Sequence, residues 1–220
     1  MDQVAARILP WRSSGTSSTR AGFTLIELAF VLVIIGLLLG MGSEILPMLI
    51  KQNKVRENRV LVREVKTSIL GYALATGRLP FAASSENGTE TSGRLQGYLP
   101  YATIGVRGKD VSLRTLFYAV EPALTGTTNR EEFQIRLREL ITGVRTPDLF
   151  CDNGTFQAAF VVLSSGENLQ VDPPNDDNGN GRVDIHDDNQ FSAPSGTYTS
   201  DNDDILDAVS ITYLHGILKE

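Results

Sequence analysis

The sequence predicts an α+β protein in which one long N-terminal hydrophobic helix packs on a small head built around an antiparallel sheet. Three observations support this fold class: an apolar run over residues 23–43, a helical stripe of apolar residues beyond it, and later short runs rich in β-branched and aromatic residues. The chain has 220 residues, 41% hydrophobic and 21% charged. This composition excludes disorder throughout and allows one compact domain with an appendage.

The N-terminal region divides into a polar leader and an apolar segment. Residues 1–22 are basic and polar and have no helical or strand periodicity, so we interpret them as a leader peptide. Residues 23–43 contain one charge, Glu27, and as a helix they would extend roughly 30 Å, the thickness of a bilayer's hydrocarbon core. The sequence therefore predicts a single membrane-spanning helix. Burying Glu27 would cost about 3 kcal/mol, so its carboxylate needs a partner or a snorkelling position at the interface.

The helix is expected to continue beyond the apolar segment and to occupy residues 23–77. Its apolar positions recur at helical spacing, which predicts one buried stripe. They are Val55, Val62, Val65, Ile69 and Tyr72. The stripe covers fewer than three heptads, which favours packing on the chain's own head over a free-standing coiled coil. Pro47 predicts a kink, and Gly77 followed by Pro80 predicts the end of the helix.

The head is predicted over residues 78–220 and begins with a loop, AASSENGTETSG. Two runs bounded by turn residues, 113–120 and 156–163, predict strands. A helix is expected between them, capped by Asn129 and continuing through Leu140.

The C-terminal run ILDAVSITYLHGIL fits the period of a helix or of a strand. We expect a strand over 209–213 that completes the antiparallel sheet.

Several kinds of chemistry are poorly represented in the chain. One cysteine, Cys151, and two histidines do not make a zinc framework, and no phosphate loop or hydrolase motif is present. Cys151 follows two apolar residues and is predicted to be a small buried side chain. The sequence therefore predicts a protein that is not an enzyme.

Acidic residues are concentrated near the C-terminus. Residues 167–207 contain eleven Asp and Glu and one basic residue, Arg182, which disfavours nucleic-acid binding and favours a divalent cation. We predict an acidic calcium loop over residues 172–207, in which oxygen donors and a central glycine, Gly181, have the spacing of a calcium loop. The candidate ligands are Asp176, Asn178, Asn180, the Arg182 carbonyl, Asp184 and Asp187.

This loop resembles an EF-hand or dockerin calcium loop, although Asp187 stands where the glutamate usually lies and no long flanking helix is expected. A solvated surface loop is the alternative. A second acidic run, with Asp201, Asp203 and Asp204, is expected to supply ligands to the same ion or another, or only to cap the following element.

The string GFTLIE at residues 22–27, between a basic leader and an apolar run, resembles the processing site of type IV prepilins and type II secretion pseudopilins. The resemblance implies that a prepilin peptidase cleaves after Gly22 and methylates Phe23. It also implies that Glu27 pairs with the terminal ammonium of a neighbouring subunit in a filament. Related pseudopilins carry a calcium site in their C-terminal loops, which supports the calcium hypothesis by resemblance.

The same resemblance implies the location and the partners of the protein. The precursor is expected in the bacterial inner membrane with a periplasmic head, and the mature subunit in a periplasmic or cell-surface filament. The expected partners are other pilin or pseudopilin subunits, the peptidase and the inner-membrane assembly platform. Whether the machine is a type IV pilus or a type II secretion pseudopilus stays open.

An alternative is ordinary signal-peptidase cleavage after Gly42, which follows a charge-free run and small residues. That event would release a soluble exported calcium-binding protein.

Overall fold

The computed structural model describes residues 22–173, 175–176, 179, 181, 183, 190–194 and 203–219. The helices are α1 (Leu25–Thr76), α2 (Tyr101–Ile104), α3 (Arg130–Ile141) and α4 (Ile211–Leu218), and a short 3₁₀ helix covers Pro122–Leu124. The strands are β1 (Gln96–Tyr98), β2 (Phe117–Val120), β3 (Phe150–Cys151), β4 (Phe156–Ser164), β5 (Gln190–Phe191) and β6 (Ile205–Ser210). The predicted α+β class is confirmed. The chain divides into two compact units, residues 1–48 and 49–220.

Helix α1 ends where the sequence predicts. Gly77 adopts a left-handed φ of 72° and donates its N–H to the carbonyl of Ala73, which closes the last turn. A Cβ at this position would lie 2.6 Å from the backbone nitrogen of Arg130, so the close approach of the α3 start also requires glycine. Pro47 lies inside the helix.

The first unit contains the apolar part of α1. Its side chains are exposed within the described chain: Leu25 is 88% exposed and Leu39 is 69% exposed. No helix among the described residues combines the length and the apolar character needed to cross a membrane.

The second unit is built on one sheet with the order β1-β2-β4-β3-β5, and β6 also pairs with β4. The pairs are antiparallel except β3 with β5, which is parallel. The predicted strand over 156–163 is confirmed and extends by one residue as β4. The predicted strand over 113–120 is too long, because Leu113 adopts a φ of 62° in a turn and β2 begins only at Phe117.

The C-terminal prediction is wrong beyond Ser210. Strand β6 ends at that residue, and its hydroxyl accepts the N–H of Tyr213 at 3.1 Å, which caps helix α4. Ile211, Leu214 and Leu218 are buried at helical spacing, so the packing favours the helical period over the strand period.

The sheet has a core on each face. On one face, the α1 stripe (Val62, Val65, Ile69) packs with side chains of α3, α4 and the sheet, which confirms the predicted packing of the long helix on the head. Helix α3 is confirmed with its cap, since the Asn129 side chain accepts the N–H of Glu132 at 2.9 Å. The second face carries Cys151, which is buried as predicted.

Candidate processing site and metal centre

The second unit contains a cluster of three carboxylates. Asp203 and Asp204 directly precede β6, and Asp172 follows Val171 at the beginning of the acidic segment. One side-chain oxygen from each of the three residues lies within 4.8 Å of the other two.

Asp203 is held by the backbone of a neighbouring turn. Its Oδ2 accepts the N–H groups of Glu167, at 2.6 Å, and Asn168, at 3.1 Å. Its Oδ1 is buried and has no hydrogen-bond partner among the described residues. A Cβ at Gly166 would lie 2.3 Å from Oδ1, so only glycine lets the turn approach this carboxylate. The turn therefore fixes one oxygen and leaves the other buried beside Gly166 without a donor among the described residues.

The other two carboxylates accept hydrogen bonds from backbone and side-chain amide N–H groups in and beside the same cluster. Asp204 Oδ2 accepts the N–H of Asp172 at 2.9 Å and the side-chain amide of Asn175 at 2.8 Å. Asp172 Oδ2 accepts the N–H of Asp203 at 3.0 Å, and its Oδ1 accepts the amide of Asn168 at 2.7 Å. These contacts hold the three side chains close together although Asp172 is 31 residues from Asp203 in sequence.

The proximity of three acids has an electrostatic cost. Burial is the main cause that raises the pKa of Asp204 to about 7, and the negative charges of Asp172 and Asp203 contribute to the same rise. Burial also raises the pKa of Asp203, and the charge of Asp172 adds to it. A bound cation would offset this repulsion and desolvation.

The donor set suits a hard cation. Carboxylate oxygens are the ligands that calcium and magnesium prefer, whereas zinc and copper sites draw on histidine or cysteine. The buried Oδ1 of Asp203 lacks the donor that a carboxylate oxygen normally finds when it leaves water. The cluster of Asp172, Asp203 and Asp204 could therefore hold a metal ion.

The predicted calcium loop is largely outside the described residues, so its ligand set is not supported. Among its ligands only Asp176 is described; it is buried, its Oδ1 accepts the N–H of Gly179 at 2.8 Å, and its Oδ2 accepts the N–H of Gly181. Gly181 has a φ of 75°, so a tight turn does occur there. Residues 178, 180, 182, 184, 187 and 201, which complete the predicted ligands, lie outside the described part of the chain.

The structure brings together two of the predicted ligands, Asp203 and Asp204, and adds Asp172, which sequence reasoning missed as a ligand. The only local signal for Asp172 was its place in the acidic segment beside Pro173 and Pro174. Asp204 is not a helix cap, because a strand follows it and its carboxylate bonds to Asp172 and Asn175.

The predicted processing site lies in the first unit. Gly22 and Phe23 are exposed and precede α1, and a Cβ at Gly22 would meet no atom within 4 Å. The backbone at the predicted cleavage point is therefore outside regular secondary structure and sterically open within the described chain.

Glu27 lies in the first turn of α1 and is exposed. Its N–H donates to the Thr24 hydroxyl at 3.3 Å, in the pattern of a helix cap. The first turn is also where the helix dipole favours a negative charge. Glu27 therefore has a local role at the helix start that is compatible with a second role between subunits.

Cys151 provides no reactive thiol. It is fully buried, and burial raises its pKa to about 12, so the thiol stays protonated.

Residues 17–43 match a family model described as the prokaryotic N-terminal methylation motif. This range includes Gly22, Phe23 and Glu27, and the match confirms the predicted prepilin-type motif at the start of the chain. Comparisons with curated proteins and with solved structures give no match. The chain thus carries a prepilin-type methylation motif followed by a long helix and an α+β head.

Proposed function

We propose that this protein is the precursor of a structural subunit, a minor pilin or pseudopilin, of a type IV pilus or a type II secretion pseudopilus. The observation that carries the proposal is the methylation motif over residues 17–43, which contains the cleavage glycine, the residue to be methylated and the acid five positions into the mature chain. The subunit has a structural role rather than an enzymatic one.

The exposed apolar half of α1 supports this proposal. Side chains such as Leu32 and Leu38, 61% and 64% exposed, have no cover among the described residues. Apolar surface of this extent is unfavourable in water, and a bilayer or the helices of neighbouring subunits would remove it from water. We assign the bilayer to the inner-membrane precursor, whose head is periplasmic, and the neighbouring helices to the subunit in the filament.

Glu27 would then supply the specific contact of assembly. Cleavage after Gly22 creates a new terminal ammonium on Phe23, and a carboxylate in an apolar surrounding needs an opposite charge nearby. The prepilin peptidase, the assembly platform of the inner membrane and other subunits are the partners that this route requires.

The mature N-terminus tests the proposal directly. Mass spectrometry of the native protein should find a chain that begins at methylated Phe23 and lacks Trp11, the only tryptophan. A mature chain that begins at Ser43 would instead establish the alternative, a soluble exported protein, and would remove the filament subunit from consideration.

The head is proposed to bind one calcium ion through Asp172, Asp203 and Asp204. Two observations support this: Asp203 belongs to a cluster of three acids, and its buried Oδ1 has no hydrogen-bond donor among the described residues. Calcium accepts irregular sets of carboxylate and carbonyl oxygens, whereas magnesium demands a tight octahedron and retains its waters. An ion that binds only the folded head stabilises it, by about 2.7 kcal/mol at a free concentration one hundred times the dissociation constant.

Calorimetry and thermal unfolding of the full-length protein with calcium or with chelator test this site. The variant Asp203→Asn with Asp204→Asn should lose the calcium-dependent rise in Tm, and magnesium should replace calcium poorly. A second variant, Asp176→Ala with Asp184→Ala, tests the predicted loop. If only the second variant loses the response, the ion is in the loop and not in the cluster.

A matched control changes two exposed acids far from the segment, Glu131→Gln with Asp148→Asn. It removes the same charge but leaves the cluster and the loop unchanged, so it should keep the calcium response. Equal loss in all three variants would mean that calcium acts through general charge screening.

A further inference from the structure

One flank of α1 in the second unit is rich in exposed cations. The flank borders a groove of about 590 Å³. The groove is lined by Lys51, Gln52, Val55, Arg56, Arg59, Val60, Arg63 and Glu167. Lys51 pairs with Glu167 at 2.6 Å, but Arg56, Arg59 and Arg63 make no ion pair with any residue that the structure describes. The groove therefore has a net positive charge that the described head does not neutralise.

The adjacent flank of the same helix carries exposed acids. Glu57 and Glu64 lie on the other side of Val60, which is itself 55% exposed. Glu57 has only a loose contact with Arg107, at 3.8 Å between side chains that are both more than half exposed. Glu64 has no ion pair with the described residues. The outer surface of α1 thus has a cationic flank and an anionic flank separated by an apolar residue.

The two flanks have the same spacing along the helix. Arg56 and Arg63 are seven residues apart, as are Glu57 and Glu64, which is about 10.5 Å in an α-helix. Because the two spacings match, two parallel copies of the helix can place glutamates of one copy opposite arginines of the other, either at the same height or with an axial offset of seven residues. A contact between two different flanks of the same chain is heterologous, so each copy keeps a free flank for the next one.

We infer that the cationic groove of α1 binds Glu57 and Glu64 of a second copy of this chain. The inference rests on the proposed function, because a filament is what would hold the helices parallel. Exposed ion pairs contribute little affinity, so this contact selects the neighbour and its register while the apolar half of the helix supplies the main attraction.

A charge-exchange experiment on the full-length chain tests the contact. One variant, Arg56→Glu with Arg63→Glu, makes both flanks acidic, and the other, Glu57→Arg with Glu64→Arg, makes both flanks basic. Two differently tagged copies are expressed together, membranes are solubilised, one tag is purified and the other is quantified. Each variant should associate with itself less than the unchanged protein does, by about fivefold or more.

Coexpression of the two variants should restore association, because every acidic flank then meets a basic one. The chain with all four substitutions should also associate with itself. The control Lys109→Glu with Arg138→Glu makes the same change in net charge as the arginine variant, at exposed positions outside the groove, and should behave as the unchanged protein.

Four results would overturn the inference. Unchanged self-association of both variants, or failure of coexpression to restore it, would show that these flanks do not meet. A defect confined to the arginine variant would point to an anionic lipid in the groove. Absence of association between unchanged copies would also exclude a second copy as the occupant of the groove. The proposed function is tested separately, by whether the mature chain begins at Phe23.

Discussion

The two halves of helix α1 differ in what covers their apolar side chains. From Leu25 to Leu39 the apolar residues point in every direction and are exposed, whereas Val62, Val65 and Ile69 form one stripe that is buried under the head. A helix that is apolar all round needs an apolar environment on every side, and a helix with one stripe needs only one partner surface. The first half therefore depends on surroundings outside the described chain, and the second half is completed by its own fold.

The largest expected effect is on proteolytic processing, which concerns only the start of the exposed half of α1. Replacing Gly22 with leucine should block cleavage completely, because the proposed peptidase would need close access to the backbone there, and the full-length precursor should accumulate. The head should be unaffected, since a Cβ at position 22 meets no atom within 4 Å. Immunoblots and mass spectrometry of membranes measure this result. A matched change, Gly42→Leu, should leave cleavage intact, and cleavage lost only in that variant would favour the alternative site.

The next effect concerns assembly through the exposed half. Glu27→Ala should still be cleaved and inserted, because losing the charge eases insertion by roughly 3 kcal/mol, but its incorporation into filaments should fall strongly. Quantifying the variant in sheared filaments and in membranes separates the two steps. Normal incorporation would mean that Glu27 acts only locally, as a first-turn residue at the membrane interface.

A pair of truncations compares the halves by stability. Ile69→Ala removes a fully buried side chain and should lower the free energy of unfolding by about 2–5 kcal/mol. Ile34→Ala removes a side chain that is 56% exposed and should change it by less than about 0.5 kcal/mol. Denaturant unfolding of detergent-solubilised protein, followed by near-ultraviolet dichroism of the tyrosines, measures both. Similar losses would contradict the assignment of the core to the second half alone.

The smallest effect tests how the end of the buried half is attached to the head. The Glu90 carboxylate accepts hydrogen bonds from both terminal guanidinium nitrogens of Arg78, at 2.9 and 2.6 Å, and from the N–H of Phe81. The bonds from Arg78 lower the pKa of Glu90. The resulting stabilisation is present above the unfolded-state pKa of about 4.3 and is lost as the pH falls through the lower folded-state pKa. Glu90→Gln should therefore cost about 1–3 kcal/mol at pH 7, and this cost should shrink progressively as the pH falls below the unfolded-state pKa. Stability curves of both proteins across this range measure it, and a constant difference would exclude the ionised pair as its origin.

Local signals in the sequence were enough for much of the fold. The cap at Asn129, the glycine at the end of α1 and the apolar run of β4 each act over a few residues, so the elements they define were predicted nearly to the residue. The motif at residues 22–27 is equally local, because six consecutive residues carry it. These features need no knowledge of what packs against them.

Tertiary structure decided the features that depend on residues distant in sequence. The run after Ile205 fits two periods, and it became a strand followed by a helix because Ser210 caps α4 and the core accepts Leu214 and Leu218. Asp172 lies near Asp203 and Asp204 only because the turn at Gly166 contacts the start of β6. In sequence, Asp172 and Asp203 are 31 residues apart. Sequence spacing describes one turn or one strand at a time, and a cluster of charges assembled across a fold is determined by the packing that brings its members together.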